Sequence, residues 1–264
     1  MELLLEAMVR HYGCDFRDYS PASLKRRVRH CMREEQLNTI SALQDKILHD
    51  RAAMERLLLT LSVNTTAMFR DPGFYRTFRQ RMVPLLRTYP FIRIWHVGCA
   101  TGEEVYSMAI LLHEEGLYER TRIYATDMNE VVLKKAMDGI FPLRLMQAYT
   151  RNYLEAGGTK SFSEYYTARY EHALFHPSLQ SNLIWAQHNL VTDSSFNEFN
   201  VILCRNVMIY FNHVLQARVH RLLYESLVLL GYLGLGSRET VATTPHENSY
   251  DVVDEREKLY RKAR

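Results

Sequence analysis

The chain is poor in cysteine and has no long apolar run, and these absences narrow its class before any motif is read. Its four cysteines, Cys14, Cys31, Cys99 and Cys204, stand far apart in 264 residues. They form neither a CxxC pair nor mixed Cys/His ligand spacing, which argues against zinc and against a disulfide framework and suits a reducing cytoplasm. The opening MELLLEAMVRHYG is too short in apolar residues for a membrane span and lacks the basic start and small-residue cleavage site of a signal peptide. It reads as an amphipathic helix. There is no internal repeat and no low-complexity tract. A formal net charge of +3 is too small to imply nucleic-acid binding, so any basic partner surface must be local.

What is present is a 47% hydrophobic chain, enough for one α/β domain and a smaller appendage. The first 75 residues read as a helical domain. A helix over Met1 to His11 closes at Gly13, and Ser20-Pro21 opens a second over Ala22 to Glu35. Two more cover Ser41 to His49 and Arg51 to Leu61. On the second helix Leu24, Val28 and Cys31 share one face, while Arg26, Arg29, His30 and Arg33 share the opposite one. A basic face without interleaved Asp or Glu is either simply solvated or suited to an acidic partner. The pattern breaks at SVNTTAMFRDPGF, where Asn64, Thr65 and Thr66 disfavour helix and Asp71-Pro72-Gly73 is turn chemistry. Arg70 therefore lies on an irregular segment, the kind of place where functional residues concentrate.

Residues 76–264 read as a doubly wound, mainly parallel sheet. A helix from about Phe74 to Thr88 leads to strands at Ile92–Val97 and Thr121–Thr126, with helices at Glu103–Glu114 and Glu130–Met137. A core strand at Asn182–Gln187 and another at Phe199–Cys204 follow, then a helix Val214–Leu229 and a strand Tyr232–Leu235. A last strand is expected near Lys258–Arg261. The aromatic, polar stretch after Gly157-Gly158 reads as a small antiparallel excursion over about 157–180.

The first strand, a GCATG turn and the helix starting at Glu103 resemble a nucleotide-binding unit, in which free backbone N–H groups and the helix dipole receive phosphate. Here Gly98 and Gly102 are separated by three residues and no Lys follows, so neither GxGxxG nor GxxxxGK[ST] is present. Glu103 and Glu104 stand where a phosphate would sit. Those features point to a cationic nucleoside without phosphate, and S-adenosylmethionine meets the description; an ordinary αβ turn with acidic residues favoured by the helix dipole is the alternative. Asp127, at the end of the second strand, can accept hydrogen bonds from ribose hydroxyls or cap the following helix.

Taken together, NTTAMFRDP, GCATGEEVYSMAI, YATDMNEVVLKKA and ILCRNVMIYF closely resemble the chemotaxis receptor methyltransferases, the CheR family of glutamate O-methyltransferases, over nearly the whole chain. The resemblance implies an N-terminal helical domain, a methyltransferase sheet whose last strand runs antiparallel, and an inserted β-subdomain. It implies S-adenosylmethionine as cofactor and S-adenosylhomocysteine as product. Asn64, Thr66 and Arg70 would face the cofactor at the turn around Gly98. Glu103 or Glu104 would hold its methionine end, Asp127 its ribose, and Asn189, Leu190, Asn206 and Val207 would frame it from the other strand tips. Arg70 and Tyr210 would lie near the transferred methyl group. The implied partner is the cytoplasmic helical domain of a chemoreceptor, met by Arg26, Arg29, His30 and Arg33 or by the β-subdomain. The expected protein is a cytoplasmic monomer with no metal, no nucleic acid and no membrane insertion.

Three positions depart from the family pattern: His96 replaces a small residue before the glycine turn, Val105 stands where many members have Pro, and Leu229-Leu230-Gly231 replaces Pro-Gly-Gly. The last would change the loop before Tyr232 but touches none of the cofactor motifs. A substrate glutamate is already ionised near neutral pH, so the lack of an obvious His or Cys base is expected. For Arg70 the competing role is a salt bridge to Asp71 or Glu103. For the chain as a whole, the alternative is a catalytically weak cofactor-binding adaptor; nucleic-acid methylation lacks an NPPY-like or Pro-Cys motif.

Overall fold

The computed structural model describes residues 1–242 and 244–264. Four helices come first: α1 (Glu2–Tyr12), α2 (Pro21–Glu34), α3 (Ile40–His49) and α4 (Arg51–Leu61). Gly13 closes α1 in the left-handed region with φ +69°, a conformation cheap only for glycine. Pro21 stands at the first turn of α2, where its missing N–H has no partner to lose. The apolar faces of these helices, including Met8, Leu24, Val28, Cys31, Ile47 and Leu57, form a core of their own.

A short α5 (Pro72–Thr77) runs through a π-helical turn, Phe78–Met82, into α6 (Val83–Leu86). The single helix expected over Phe74 to Thr88 is thus wider in its middle. Pro84 supplies the reason, because its ring excludes the carbonyl of Gln80 and it has no N–H to give, so one extra residue is accommodated.

Ten strands follow: β1 (Ile92–Val97), β2 (Thr121–Asp127), β3 (Ile140–Pro142), β4 (Tyr166–Arg169), β5 (His172–Phe175), β6 (Leu183–Gln187), β7 (Phe199–Cys204), β8 (Leu227–Leu235), β9 (Tyr250–Asp254) and β10 (Leu259–Lys262). Seven make one sheet in the order β6-β2-β1-β7-β8-β10-β9. Pairings from β6 to β8 are parallel, and β10 is antiparallel to both neighbours. Ile92 and Ile94 bury on one face and Trp95 and Val97 on the other, so β1 reads as a continuous apolar run because both faces are covered. The helices α7 (Glu103–Glu114), α8 (Glu130–Asp138), α9 (Met146–Glu155) and α10 (His213–Ser226) complete the elements.

Four details differ from the sequence reading. The helix expected to Leu229 stops at Ser226, and β8 starts at Leu227. Its register to β7 shifts between Phe199 and Val201, and Leu230 takes φ +62°, so the Leu229-Leu230-Gly231 departure lies in a bulge. The strand β9 was not expected; it is a sheet edge with only Tyr250 buried, so it shows no buried apolar run. The strand β6, expected as core, is the opposite edge and largely exposed. Finally, the small sheet β3-β5-β4 takes an edge strand from Ile140–Pro142, upstream of 157, with α9 between its strands.

Candidate functional site

From β1 the chain builds outward through β2 to β6, then crosses back to lay β7 on the other side of β1, and this reversal of strand order opens a crevice at the carboxyl ends of the central strands. The glycine turn sits there. Gly98 has φ +67°, and a Cβ on it would lie 2.7 Å from Cγ2 of Val207, so no other residue fits. The turn's N–H groups are already engaged: Cys99 donates to the Thr126 carbonyl at 2.9 Å, Ala100 to Oδ2 of Asp127 at 3.0 Å and Gly102 to the Cys99 carbonyl at 3.0 Å. A phosphate would find those three donors spent.

Two adjoining cavities meet at Val63, Gly98 and Asn206. The larger, about 650 Å³, is lined by Asn64, Asp127, Asn189, Leu190, Val207 and Tyr210 among others. The smaller, about 430 Å³, is lined by Thr66, Arg70, Cys99, Glu104 and Arg205. Every residue expected at the cofactor therefore reaches one cavity or both, with the exception of Glu103. That side chain accepts from Thr101 Oγ1 at 2.6 Å, lies 3.5 Å from the Tyr149 hydroxyl, and lines neither cavity. One helical step, about 100° around α7, separates it from Glu104, which does line the smaller cavity.

Asp127 is 8% exposed. Its Oδ1 accepts from the Asn129 amide and its Oδ2 from the Ala100 amide, each at 3.0 Å. Burial pushes its carboxyl upward, opposed by the amides of Asn129, Ala100 and Met128. The cap of α8 is Asn129, whose side chain accepts from Val131. Asp127 is thus free of the capping role and fixed by the turn it faces.

Glu104 stands in a charged chain. His96 Nδ1 lies 3.0 Å from Oε1, and Arg205 Nη1 donates to Oε2 at 3.0 Å. Arg205 also donates to Asp71 Oδ2 at 2.9 Å and stacks its guanidinium 4.1 Å from the centre of the Phe74 ring. Burial opposes both charges. His96 and Arg205 nevertheless hold the Glu104 carboxyl below its ordinary range, and Glu104, Tyr75 and Asp71 hold the Arg205 guanidinium above its own. Arg205 thereby occupies the carboxylate partner proposed for Arg70. Arg70 itself donates only to the Thr65 carbonyl at 3.2 Å and has no carboxylate partner among the described residues.

Several lining or supporting residues escaped the sequence reading. Tyr19, from the helical domain, lines the larger cavity and meets Met128 Sδ through its hydroxyl at 3.6 Å. Its neighbour Ser20 donates to the Tyr210 carbonyl at 2.8 Å, and Asn212 donates to that of Asp18 at 2.8 Å, which fastens the helical domain to the turn after β7. Glu239, buried at 5% exposure, accepts from the backbone amides of Asn206, Val207, Met208 and Gly236 at 2.7–2.9 Å. It holds the strained turn in which Asn206 has φ +62°. An acidic residue after a glycine-rich strand was the only trace of it in the sequence. Of the two potential bases lining the cavities, the Cys99 thiol is pushed well up by burial, while His188 donates through Nε2 to the Ser194 carbonyl at 3.2 Å and leaves Nδ1 buried without a partner.

Arg26, Arg29, His30 and Arg33 are exposed on α2 and have no ion-pair partner among the described residues. Three of them border a shallow groove with Lys25, Met32 and Leu37. No helix of the described residues is long and apolar enough to cross a membrane.

Comparison with known proteins agrees with this geometry. Residues 1–62 match the family described as CheR methyltransferase, all-alpha domain, and residues 64–258 match CheR methyltransferase, SAM binding domain. A Pseudomonas putida protein named methyltransferase Cher3 is 47% identical over 263 residues, covering 100% of this chain and 96% of that one. A chemotaxis protein methyltransferase of Listeria innocua is 24% identical, covering 88% and 86% of the two chains. Its namesake in Salmonella typhimurium is 29% identical, covering 75% and 68%.

Proposed function

The chain belongs to the CheR family of S-adenosylmethionine-dependent methyltransferases of chemotaxis, and from that premise we propose that it esterifies glutamate side chains on the cytoplasmic helical domain of a chemoreceptor. The observation that carries this reading is the charge arrangement of the joined cavities. They offer two anchored carboxylates, Asp127 and Glu104, and one guanidinium without a carboxylate partner among the described residues, Arg70. That set suits a nucleophile that arrives already ionised, as a glutamate does.

The residues present fit the cofactor. The three spent amides of the glycine turn and the carboxylates beside it disfavour a phosphate and suit a cation and ribose hydroxyls. When bound, S-adenosylmethionine supplies a methyl group activated by its sulfonium. Asp127 would hold the ribose, and Glu104, held by Arg205, the ammonium end. Asn189, Leu190 and Val207 would frame the adenosine side, while Asn64, Thr66, Gly98 and Asn206 border the passage between the cavities. Arg70 would orient a carboxylate by its planar fork, and Tyr210 would help position it. Closing these cavities to water strengthens the electrostatics inside and holds the reacting atoms in line. The basic face of α2 would meet the acidic receptor surface, with the protein acting as a cytoplasmic monomer.

Transfer of tritium from labelled S-adenosylmethionine to base-labile esters on a receptor fragment tests the reading. Cofactor binding without ester formation on any receptor fragment would instead favour a binding adaptor.

A further inference from the structure

His96 is fully buried on β1, between the backbones of Ala125 on β2 and Leu203 on β7. The proposed reaction gives it no role. An apolar or small residue would fill this place in the sheet with no polar group to satisfy. The imidazole instead leaves its Nε2 buried without a partner, which is unfavourable in itself. Its other nitrogen, Nδ1, lies 3.0 Å from Oε1 of Glu104, and because that carboxylate can only accept, Nδ1–H donates.

We propose that His96 is a positioning residue that fixes the Glu104 carboxylate toward the cationic methionine end of the cofactor. The inference rests on the cofactor assignment above and extends it. Arg205 alone would leave Glu104 free to rotate about its last bond, since a single donor holds a single oxygen. With His96 on Oε1 and Arg205 on Oε2, both oxygens are held and the carboxylate plane is set, with its remaining lone pairs open to the 430 Å³ cavity. Asp71 holds the far side of the Arg205 guanidinium, and Tyr75 also faces it. The effect is preorganisation: the receptor for the ammonium is ordered before the cofactor arrives.

Calorimetry with S-adenosylhomocysteine separates donor from filler. His96→Leu fills the space and removes the donor, and should weaken binding by about tenfold, the lower range for a lost hydrogen bond to a charged group. His96→Asn places an amide N–H near the former Nδ1 and should recover most of that loss. In steady-state assays the Leu variant should raise KM for S-adenosylmethionine and leave kcat near the parent value. Parent-like binding by His96→Leu overturns the proposal, and so does an equal loss in folded Leu and Asn variants, which would show that only packing matters. Should either variant fail to fold, the unmodified protein still decides: its His96 Nδ1–H resonance in ¹⁵N NMR should shift when S-adenosylhomocysteine is added, and an unchanged resonance at saturation overturns the proposal. Binding and NMR need no receptor, so absence of glutamate esterification would defeat the proposed function while leaving this result intact.

Discussion

Replacing Arg205 by Met tests whether the charged chain behind the cofactor cavity is as interdependent as its geometry requires. The side chain is 2% exposed, and its partner Glu104 is 19% exposed. Removing one member of such a pair leaves the other charge buried, which costs about 3–5 kcal/mol. Asp71, at 41% exposure, is screened by solvent and adds less than about 1 kcal/mol. Methionine keeps an apolar contact over Phe74, so packing loss should be small. For a chain of this size the total corresponds to a fall in Tm of about 6–20 °C. The effect also has a sign in pH. Glu104 is held below its ordinary value of 4.5 by His96 and Arg205 against the pull of burial. Its stabilising contribution in the parent is therefore complete above that value and lost as pH falls through its lower folded value. The gap between parent and Arg205→Met should be widest at neutral pH and should narrow in acid. Urea unfolding at neutral and acidic pH measures both. The double variant Arg205→Met/Glu104→Gln removes the stranded charge and should be more stable than the single variant. A single variant within about 1 kcal/mol of the parent, or a double variant no better than the single, would refute the reasoning.

Asp127→Ala should weaken S-adenosylhomocysteine binding by about 1.5–3 kcal/mol in calorimetry, with ATP and NADH binding far more weakly than S-adenosylhomocysteine to the parent. Arg70→Ala should mainly lower turnover, with a modest loss of cofactor affinity, and Tyr210→Phe should be milder; unchanged turnover in Arg70→Ala would remove it from the reaction. Arg26→Glu/Arg29→Glu/Arg33→Glu should raise the apparent KM for receptor and flatten its salt dependence while leaving cofactor affinity intact, because exposed charges act through a field screened over ~8 Å at physiological ionic strength. Parent-like methylation across a salt titration would make that face merely solvated and move docking to the β-subdomain.

Much of this protein was legible in one dimension because its signals are local. The apolar runs of β1 and β7, the caps at Gly13 and Pro21, and the glycine turn with its acidic helix start each depend on neighbours a few residues away. Spacing around Gly98 and Gly102 argued against a phosphate, and the spent amides of the turn give the physical reason. The motif residues expected at the cofactor, Glu103 apart, line the two cavities at the strand ends.

Other features depended on pairings between residues distant in sequence. Local spacing could not separate Glu103 from Glu104, since both suit a helix start; in the fold Tyr149 and Thr101 engage Glu103, while His96 and Arg205 hold Glu104 at the cavity wall. The sequence reading noted His96 only as a departure from the family pattern and passed over Arg205 and Glu239. A buried charge is decided by its partners, and theirs lie 8, 101 and 31–33 residues away. The edge positions of β6 and β9 likewise follow from the order of the strands, which composition does not encode. Sequence alone determined which residues could serve a cationic nucleoside, because backbone conformation and helix starts are short-range. Tertiary structure decided which of them line the cavities and what holds them there, because burial and charge pairing are settled only when distant segments pack together.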